Sequence, residues 1–419
     1  MLPYLFVSAF CLLFSSAASA EGVASNLFSD LKHLVFQIRV IDLASGEKSS
    51  LGSGFQVSDD GYVATNFHVV SSFVHKPEKF RLEYISLDGS TGNLELKGLD
   101  VIHDLAVLKI DQPADGFFKF NTEKLTKGKR LYSMGNPLDL GMTIIEGNYN
   151  GLLKISRYQK ILFSGSLNAG MSGGPAMDEN GHIIGVNVAK GGEQLSFLVP
   201  VKELVVLLDR VSKNEHARGF EEDIGSSILE DQNEFYNTLF DKDWKSAPFS
   251  ELMLPKNISE SIKCWGHTKN KEEDEILYEA VHQHCHSQDQ IFINENFYTG
   301  TLSYEYEWAS TDELNRFQFY SMLQKRFTHE GLSNASDKED ITGYTCSGSF
   351  VEIDQHSWKV SNCMRAYKKY RGLYDYMLLL SSVDMNYKNA IIKVSAAGIS
   401  EENINRLTEK FIGSIKWMN

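Results

Sequence analysis

The stretch "GSGFQVSDDGYVATNFHVV", residues 52–70, sets the pattern that decides the fold of the first half of the chain. It contains short apolar or alternating runs on either side of an Asp-Asp-Gly turn at residues 59–61. Runs of this kind, bounded by Gly and Asp, are typical of β-strands joined by tight turns. Similar runs continue from about residue 31 to 200 with almost no helical periodicity, and they predict an all-β barrel or sandwich.

The second half of the chain has a mixed pattern. After Pro200, residues 201–211 show helical spacing and are expected to close the first domain. The polar, acidic residues 213–260 indicate a connector with one or two helices. Residues 261–419 combine alternating strands with helices, which predicts an α+β domain with an antiparallel sheet. The helices expected there lie at 271–284, 310–327 and 400–412, the second of them with a Ser/Thr-x-x-Glu type cap at its start.

Composition and the N-terminus limit the functional classes. The 419 residues carry a net charge of −14, which argues against a nucleic-acid partner. Residues 1–20 form an apolar run that ends in Ala-Ser-Ala and predict a secretory signal cleaved after Ala20. An uncleaved membrane anchor is the competing interpretation, but the apolar part is shorter than the ~20 residues of a spanning helix. We therefore expect the first domain to be residues 21–212 and the mature chain to be periplasmic or secreted, without a membrane span.

The cysteines fit export. Cys11 lies in the predicted signal, and the other four lie in the C-terminal half, where an even set indicates two disulfides with three alternative pairings. Proximity in sequence favours Cys264 with Cys285 and Cys346 with Cys363. A metal site is the alternative, since histidines surround the first pair, but their spacing matches no standard zinc pattern. The expectation is disulfides, with no metal and no cofactor. The histidines concerned are His267, His282, His284 and His286.

Three residues of the first half have the chemistry of a serine hydrolase. Ser172 lies in "GMSGGP", where Gly170 lets the backbone turn so that the N–H groups of residues 170 and 172 can converge on one point. His68 ends a predicted apolar strand, and Asp104 precedes the buried run "LAVLKI". A charge at either place is costly without a partner. The order His, Asp, Ser differs from that of subtilisin-like and α/β-hydrolase enzymes.

Four segments together resemble the protease domain of the HtrA-type (high-temperature-requirement) serine peptidases of the trypsin-like superfamily. They are "GSGFQVSDDGYVATNFHVV", "HDLAVLKI", "GNPLDLG" and "GMSGGPAMDENGHIIGVN". The resemblance covers about residues 30–212 and implies two six-stranded antiparallel β-barrels with the active site between them. It implies His68 as general base, Asp104 as its orienting carboxylate and Ser172 as nucleophile.

The resemblance also implies further site residues. Gly170 and Ser172 would supply the oxyanion-hole N–H groups, and residues 135–141 would form a loop that switches the site between competent and incompetent forms. The strand at 195–200 would line the primary specificity pocket, with Leu195, Ser196 and Phe197 as substrate-binding residues. Two departures stand out: Met171 replaces the usual Asn or Asp, and the second half has no recognisable PDZ module.

The sequence therefore predicts an exported serine endopeptidase that acts on protein or peptide substrates. Because Leu195, Phe197 and Leu198 are apolar and no acid precedes Ser172 in "LNAGMS", we expect cleavage after small or medium apolar residues. The alternative is a latent barrel that acts as a binding or chaperone-like module, with the C-terminal domain contacting the partner. The sequence leaves the oligomeric state open.

Overall fold

The computed structural model describes residues 22–192, 195–213, 219–270, 276–327, 332, 334 and 337–418. The predicted signal at residues 1–20 lies outside these ranges. A short helix, α1 (Val23–Leu31), precedes the first strand, and its Leu27 is buried. Within the described ranges, no helix has the length and apolar character needed to cross a membrane.

The first half of the chain forms two closed antiparallel barrels of six strands each. The strands of the first are β1 (Val35–Asp42), β2 (Lys48–Gln56), β3 (Tyr62–Thr65), β4 (Phe80–Ile85), β5 (Thr91–Asp100) and β6 (Leu105–Ile110), in the order β1-β2-β3-β6-β5-β4. Those of the second are β7 (Arg130–Gly135), β8 (Thr143–Leu152), β9 (Ile161–Phe163), β10 (Pro175–Met177), β11 (Ile183–Gly192) and β12 (Leu195–Pro200), in the order β10-β11-β12-β9-β8-β7. The prediction of two six-stranded barrels is confirmed.

Helix α2 (Phe67–His75) follows β3 and places His68 in its first turn. The sequence suggested that His68 ends a strand, but β3 ends at Thr65 and the chain then turns into the helix. Phe67 and Val70 are fully buried in the core of the first barrel, which fixes the start of α2 against the strands. Burial of such side chains is the main term that holds a short helix in place.

Two helices follow the barrels. Helix α3 (Val201–Ser212) packs on β5 and β6 and closes the barrel region, at the position the helical spacing predicted. Helix α4 (Phe220–Asp241) has three acidic residues in its first turn, where the helix dipole favours negative charge. One face of α4 is buried along its length. Ile224 and Ile228 join the core of the first barrel, whereas Tyr236 and Leu239 join the core of the C-terminal region. The connector is therefore a helix shared by two cores.

The C-terminal region is built on a seven-stranded antiparallel sheet, as an α+β domain requires. Its elements and those around it are β13 (Ser246–Phe249), β14 (Leu252–Pro255), β15 (Ile262–Lys269), β16 (Glu279–Ser287), β17 (Ile291–Asn294), β18 (Phe297–Thr299), β19 (Leu302–Ser310), α5 (Arg316–Arg326), β20 (Thr345–Ile353), β21 (His356–Ala366), β22 (Tyr374–Ser382), β23 (Lys388–Ile399), α6 (Glu401–Gly413) and β24 (Lys416–Trp417). The strand order of the large sheet is β15-β16-β19-β23-β22-β21-β20, with α6 packed against β22 and a small sheet, β13-β14-β24, beside it.

The prediction of a helix at 271–284 is wrong. Residues 279–287 form strand β16, which pairs with β15, while residues 271–275 lie outside the described ranges. The histidines at 282, 284 and 286 recur at every second position, which is the period of a strand, and Cys285 between them is buried. The predicted helix at 310–327 begins only at Arg316. Its cap is Asn315 with Gln318, a capping box in which each side chain bonds the other's backbone N–H.

The shared helix α4 gives a stability prediction. Ile228→Ala removes a fully buried side chain between α4 and the first barrel and should lower the free energy of unfolding by about 2–5 kcal/mol. Ser226→Ala, at an exposed position of the same helix, should leave it almost unchanged. Chemical denaturation of both variants tests this. An Ile228→Ala variant no less stable than Ser226→Ala would show that α4 is not packed on the barrel.

Candidate active site

Asp104 and His68 are held together by two hydrogen bonds. The Oδ2 atom of Asp104 lies 2.7 Å from Nδ1 of His68, and Oδ1 accepts the backbone N–H of the same residue at 2.8 Å. Asp104 lies in the turn before β6 with a φ of 57°, a left-handed conformation that Asp tolerates better than most residues. Asn66 donates to its carbonyl oxygen at 2.8 Å. The turn that carries the carboxylate is thus held in place, and the carboxylate in turn fixes the imidazole.

The pKa of His68 lies above its ordinary value of 6.5. Burial acts to lower the pKa, because it penalises the charged imidazolium. The negative charge of Asp104 and the hydrogen bond to it act in the opposite direction and outweigh burial. The imidazole is therefore a stronger base than a free histidine, which suits a group that must accept a proton from a hydroxyl.

The loop that carries Ser172 can be made only with glycines at two positions. A Cβ atom at Gly173 would lie 2.3 Å from the carbonyl oxygen of Ser53, and one at Gly174 would lie 2.2 Å from that of Met134. Both distances are far shorter than any real contact of a Cβ atom. Gly173 also has a φ of 83°. These glycines thus let the loop containing Ser172 lie directly against the barrel strands.

The helix of His68 and the loop of Ser172 meet across β2. A Cβ atom on Gly52 would lie 2.6 Å from Cγ2 of Val69, the neighbour of His68, and 3.1 Å from the carbonyl oxygen of Ser172. The backbone N–H of Ser53 donates to that same oxygen at 2.8 Å. The structure therefore brings all three predicted residues to one region between the barrels.

The hydroxyl of Ser172 donates to the carbonyl oxygen of Val188 at 3.0 Å. Within the described residues it makes no hydrogen bond to His68. Rotation about the Cα–Cβ bond of Ser172 is therefore needed before the imidazole can accept its proton. The bond to be broken contributes about 0.5–1.5 kcal/mol, which is a small barrier to that rotation.

All four carbonyl groups of residues 169–172 have donors within the protein. In contrast, the backbone N–H groups of Gly170 and Ser172 make no hydrogen bond to a described residue. Two unpaired N–H groups on either side of one residue are the arrangement that stabilises an oxyanion. The donor and acceptor pairs are Leu138 N–H with Ala169 O at 2.8 Å, Ser53 Oγ with Gly170 O at 2.8 Å, Asn187 Nδ2 with Met171 O at 3.1 Å and Ser53 N–H with Ser172 O at 2.8 Å.

The loop at residues 135–141 contacts the loop of Ser172 directly. Because the carbonyl of Ala169 and the N–H of Gly170 belong to one planar peptide, the bond from Leu138 to that carbonyl also sets the direction of the N–H. Leu138 and Asp139 both have positive φ, 52° and 61°. Asp139 bonds the side chains of Lys48 and Gln37, which lower its pKa. The loop is thus tied to the first barrel at one point and to the Ser172 loop at another.

The remaining predicted site residues differ in how deeply they are buried. Met171 is fully buried in the core of the second barrel, so its side chain lies away from Ser172. In β12, Leu195 and Phe197 are half-buried, whereas Ser196 is fully buried and accepts the N–H of Leu167 at 3.1 Å. The side chain of Ser196 therefore supports the start of the serine loop. Residues 193–194, just before β12, lie outside the described ranges.

The cysteines and histidines lie on the C-terminal sheet. Cys264 faces Cys285 across β15 and β16, and Cys346 faces Cys363 across β20 and β21; both pairs are disulfides in the structure. The rings of His267 and His282 stack with centroids 4.5 Å apart. In the parts of the chain that the structure describes, no group of three or more His, Cys, Asp or Glu side chains is arranged to hold a metal ion.

Two features of the site were not predicted from the sequence. Ser53 is fully buried, and its hydroxyl accepts the N–H of Asn136 at 3.0 Å while donating to the carbonyl of Gly170, which links the loop at 135–141 to the loop of Ser172. A serine enclosed in "GSG" within an apolar strand was the available signal. Phe292, from the C-terminal region, has its ring centroid 6.0 Å from that of His68. No local pattern around residue 292 indicates this contact.

The barrel region is similar to known proteins. The trypsin-like peptidase domain family matches residues 52–186. The chain is 34% identical over 181 residues to a probable periplasmic serine endoprotease, DegP-like, of Chlamydia trachomatis, covering 40% of this chain and 35% of that protein. A protein of the same description from Brucella suis is 33% identical over 174 residues, covering 39% and 33% of the two chains. The chain thus spans about a third of the length of these curated relatives.

Among solved structures, the serine endoprotease from Yersinia pestis is similar with a TM-score of 0.40 and 25% identity, over 45% of this chain and 66% of that one. Deg5 is similar with a TM-score of 0.39 and 27% identity, over 45% and 93% of the two chains. Residues 52–186 thus match the trypsin-like peptidase domain family, and over 40% of its length the chain is similar to a DegP-like serine endoprotease.

Proposed function

We propose that this chain is an exported serine endopeptidase that cleaves protein substrates through an acyl-enzyme. The observation that carries the proposal is the fixed pair of Asp104 and His68 beside a serine loop with two unpaired N–H groups. The family match of residues 52–186 supports the reaction class. The periplasmic description of the relatives and the apolar start of the chain support export, with a signal at residues 1–20.

The mechanism follows from the position of each group. Ser172 leaves the carbonyl of Val188 and turns its hydroxyl toward Nε2 of His68, which accepts the proton as Oγ attacks the scissile carbonyl. Asp104 holds the imidazole in the tautomer with its proton on Nδ1 and stabilises the imidazolium that forms. The N–H groups of Gly170 and Ser172 donate to the oxyanion. His68 then gives its proton to the leaving amine, and a water molecule hydrolyses the ester by the reverse sequence.

The substrate preference is also a proposal. Leu195 and Phe197 are half-buried in β12, which pairs with β9, the strand before the loop of Ser172. Apolar side chains therefore line that part of β12. Apolar side chains at the specificity pocket would favour small or medium apolar residues over Lys or Arg. We propose that the chain cleaves after such residues.

The domains are proposed as residues 21–212 for the peptidase and 261–419 for the C-terminal domain, joined by residues 213–260.

Replacement of the nucleophile tests the proposal. Ser172→Ala should lower kcat on an unfolded protein substrate by about 10⁶-fold, because no other group can form the acyl-enzyme. Its unfolding midpoint should match that of the native chain. Ser90→Ala, in an exposed turn, is the matched control and should cleave normally. Equal cleavage by Ser172→Ala and the native chain would refute the proposal, and binding of unfolded protein by both without cleavage would instead support a binding function.

The pKa of His68 gives a pH prediction. Only the neutral imidazole accepts a proton, so kcat/KM should fall as the pH drops through the pKa of His68, which lies above 6.5. Asp104→Asn removes the charge that raises this pKa. The acid limb of the profile should then move to lower pH, and kcat should fall by about 10⁴-fold. Asp111→Asn, at the exposed end of β6, is the control; an unmoved acid limb in Asp104→Asn would contradict the assignment.

A further inference from the structure

A short hairpin of the C-terminal region lies against the helix that carries His68. This hairpin is formed by β17 and β18, residues 291–299. The ring of Phe292 contacts the ring of His68 edge-on, with centroids 6.0 Å apart, and the ring of Phe67 with centroids 6.2 Å apart. At the other end of α2, Nε2 of His75 bonds the carbonyl oxygen of Ile293 at 2.9 Å. The hairpin therefore contacts α2 at both ends.

The same segment is attached to the second barrel. Asp289, two residues before β17, is buried, with 4% of its surface exposed. Its carboxylate accepts hydrogen bonds from the hydroxyl of Ser156 at 2.8 Å and the backbone N–H of Arg157 at 2.6 Å, and it pairs with Lys160 at 3.1 Å. All three donors lie in the loop between β8 and β9. A buried carboxylate with three donors is a firm anchor, because losing any of them leaves a desolvated charge.

Residues 289–299, which we call the strap, thus bridge the two barrels. His68 belongs to the first barrel and Ser172 to the loop before β10 of the second, so transfer of a proton between them depends on how the barrels are placed. The guanidinium of Arg157 adds to the anchor, since it pairs with Asp231 of α4 at 2.5 Å and donates to the carbonyl of Gly300 at 3.2 Å. The strap is therefore held by both barrels and by the shared helix.

We propose that Phe292 is a positioning residue for His68, so that the C-terminal region supplies part of the active site of the peptidase. This inference rests on the proposed function. The ring of Phe292 occupies one side of the imidazole, limits its rotation and keeps water from that side. Tyr298 supports it from β18, with ring centroids 5.5 Å apart. A catalytic side chain held by packing in this way retains the geometry that proton transfer requires.

Kinetics of three variants test the proposal. Phe292→Ala should lower kcat by about 10–100-fold with KM nearly unchanged, because the imidazole loses its support while the substrate strand is untouched. Phe292→Leu, which keeps apolar bulk, should restore most of the rate. Phe350→Ala is the matched control, since Phe350 lies on the outer strand β20 and is 72% exposed. If Phe292→Ala and Phe350→Ala have the same kcat, the proposal is wrong.

A second readout does not depend on activity. Titration of the His68 imidazole by NMR in the Ser172→Ala background should give a higher pKa when Phe292 is also replaced by Ala. Burial lowers this pKa, and Asp104 is the charged group that acts on His68 in the folded chain. An unchanged pKa would overturn the proposal even if the native chain proves inactive, while inactivity with a shifted pKa would count against the peptidase function alone. If Phe292→Ala does not fold, Phe292→Leu is compared with the native chain by the same titration.

Discussion

The hydrogen bonds between Asp104 and His68 are the constraint on which the rest of the site depends. Both carboxylate oxygens of Asp104 bond His68: Oδ2 bonds the imidazole, and Oδ1 accepts the backbone N–H at the start of α2. The carboxylate therefore sets the position of the helix as well as the tautomer of the ring. Its own place is fixed by a left-handed turn and by Asn66. The buried side chains of Phe67 and Val70 then hold α2 in the first barrel.

The second barrel contributes a loop whose conformation is set by contacts of its carbonyl groups. The hydroxyl and the N–H of Ser53 bind two of them, and the loop at 135–141 binds a third through Leu138. Because each peptide is planar, the bond of Leu138 to Ala169 sets the direction of the Gly170 N–H, and the bond of Asn187 to Met171 sets that of the Ser172 N–H. Neither N–H group bonds a described residue, which is the arrangement that an oxyanion requires. The hydroxyl of Ser172 itself bonds the carbonyl oxygen of Val188, so it must rotate about the Cα–Cβ bond before it can face the imidazole. The shared helix α4 and the strap join the C-terminal region to α2 of the first barrel and to the loop between β8 and β9 of the second.

Sequence alone was sufficient for much of this account. Alternating apolar runs and Gly-Asp turns predicted the β architecture, and polar residues in apolar surroundings pointed to His68 and Asp104, because a buried charge requires a partner. Two kinds of feature could not be predicted from the sequence. Residues 279–287 form a strand instead of the predicted helix, since pairing with β15 decided a segment whose local pattern was ambiguous. The contact of Phe292 with His68 joins residues far apart in the chain, and no propensity or spacing encodes such packing.

The central claim is that Ser172 is an activated nucleophile. The most direct measurement is covalent labelling of the native chain with an active-site phosphonate at a pH above the pKa of His68, followed by mapping of the modified peptide by mass spectrometry. We expect a single phosphonylated residue, Ser172, with labelling that falls as the pH is lowered through the pKa of His68. Absence of label in the folded native chain, or a label on another serine, would contradict it.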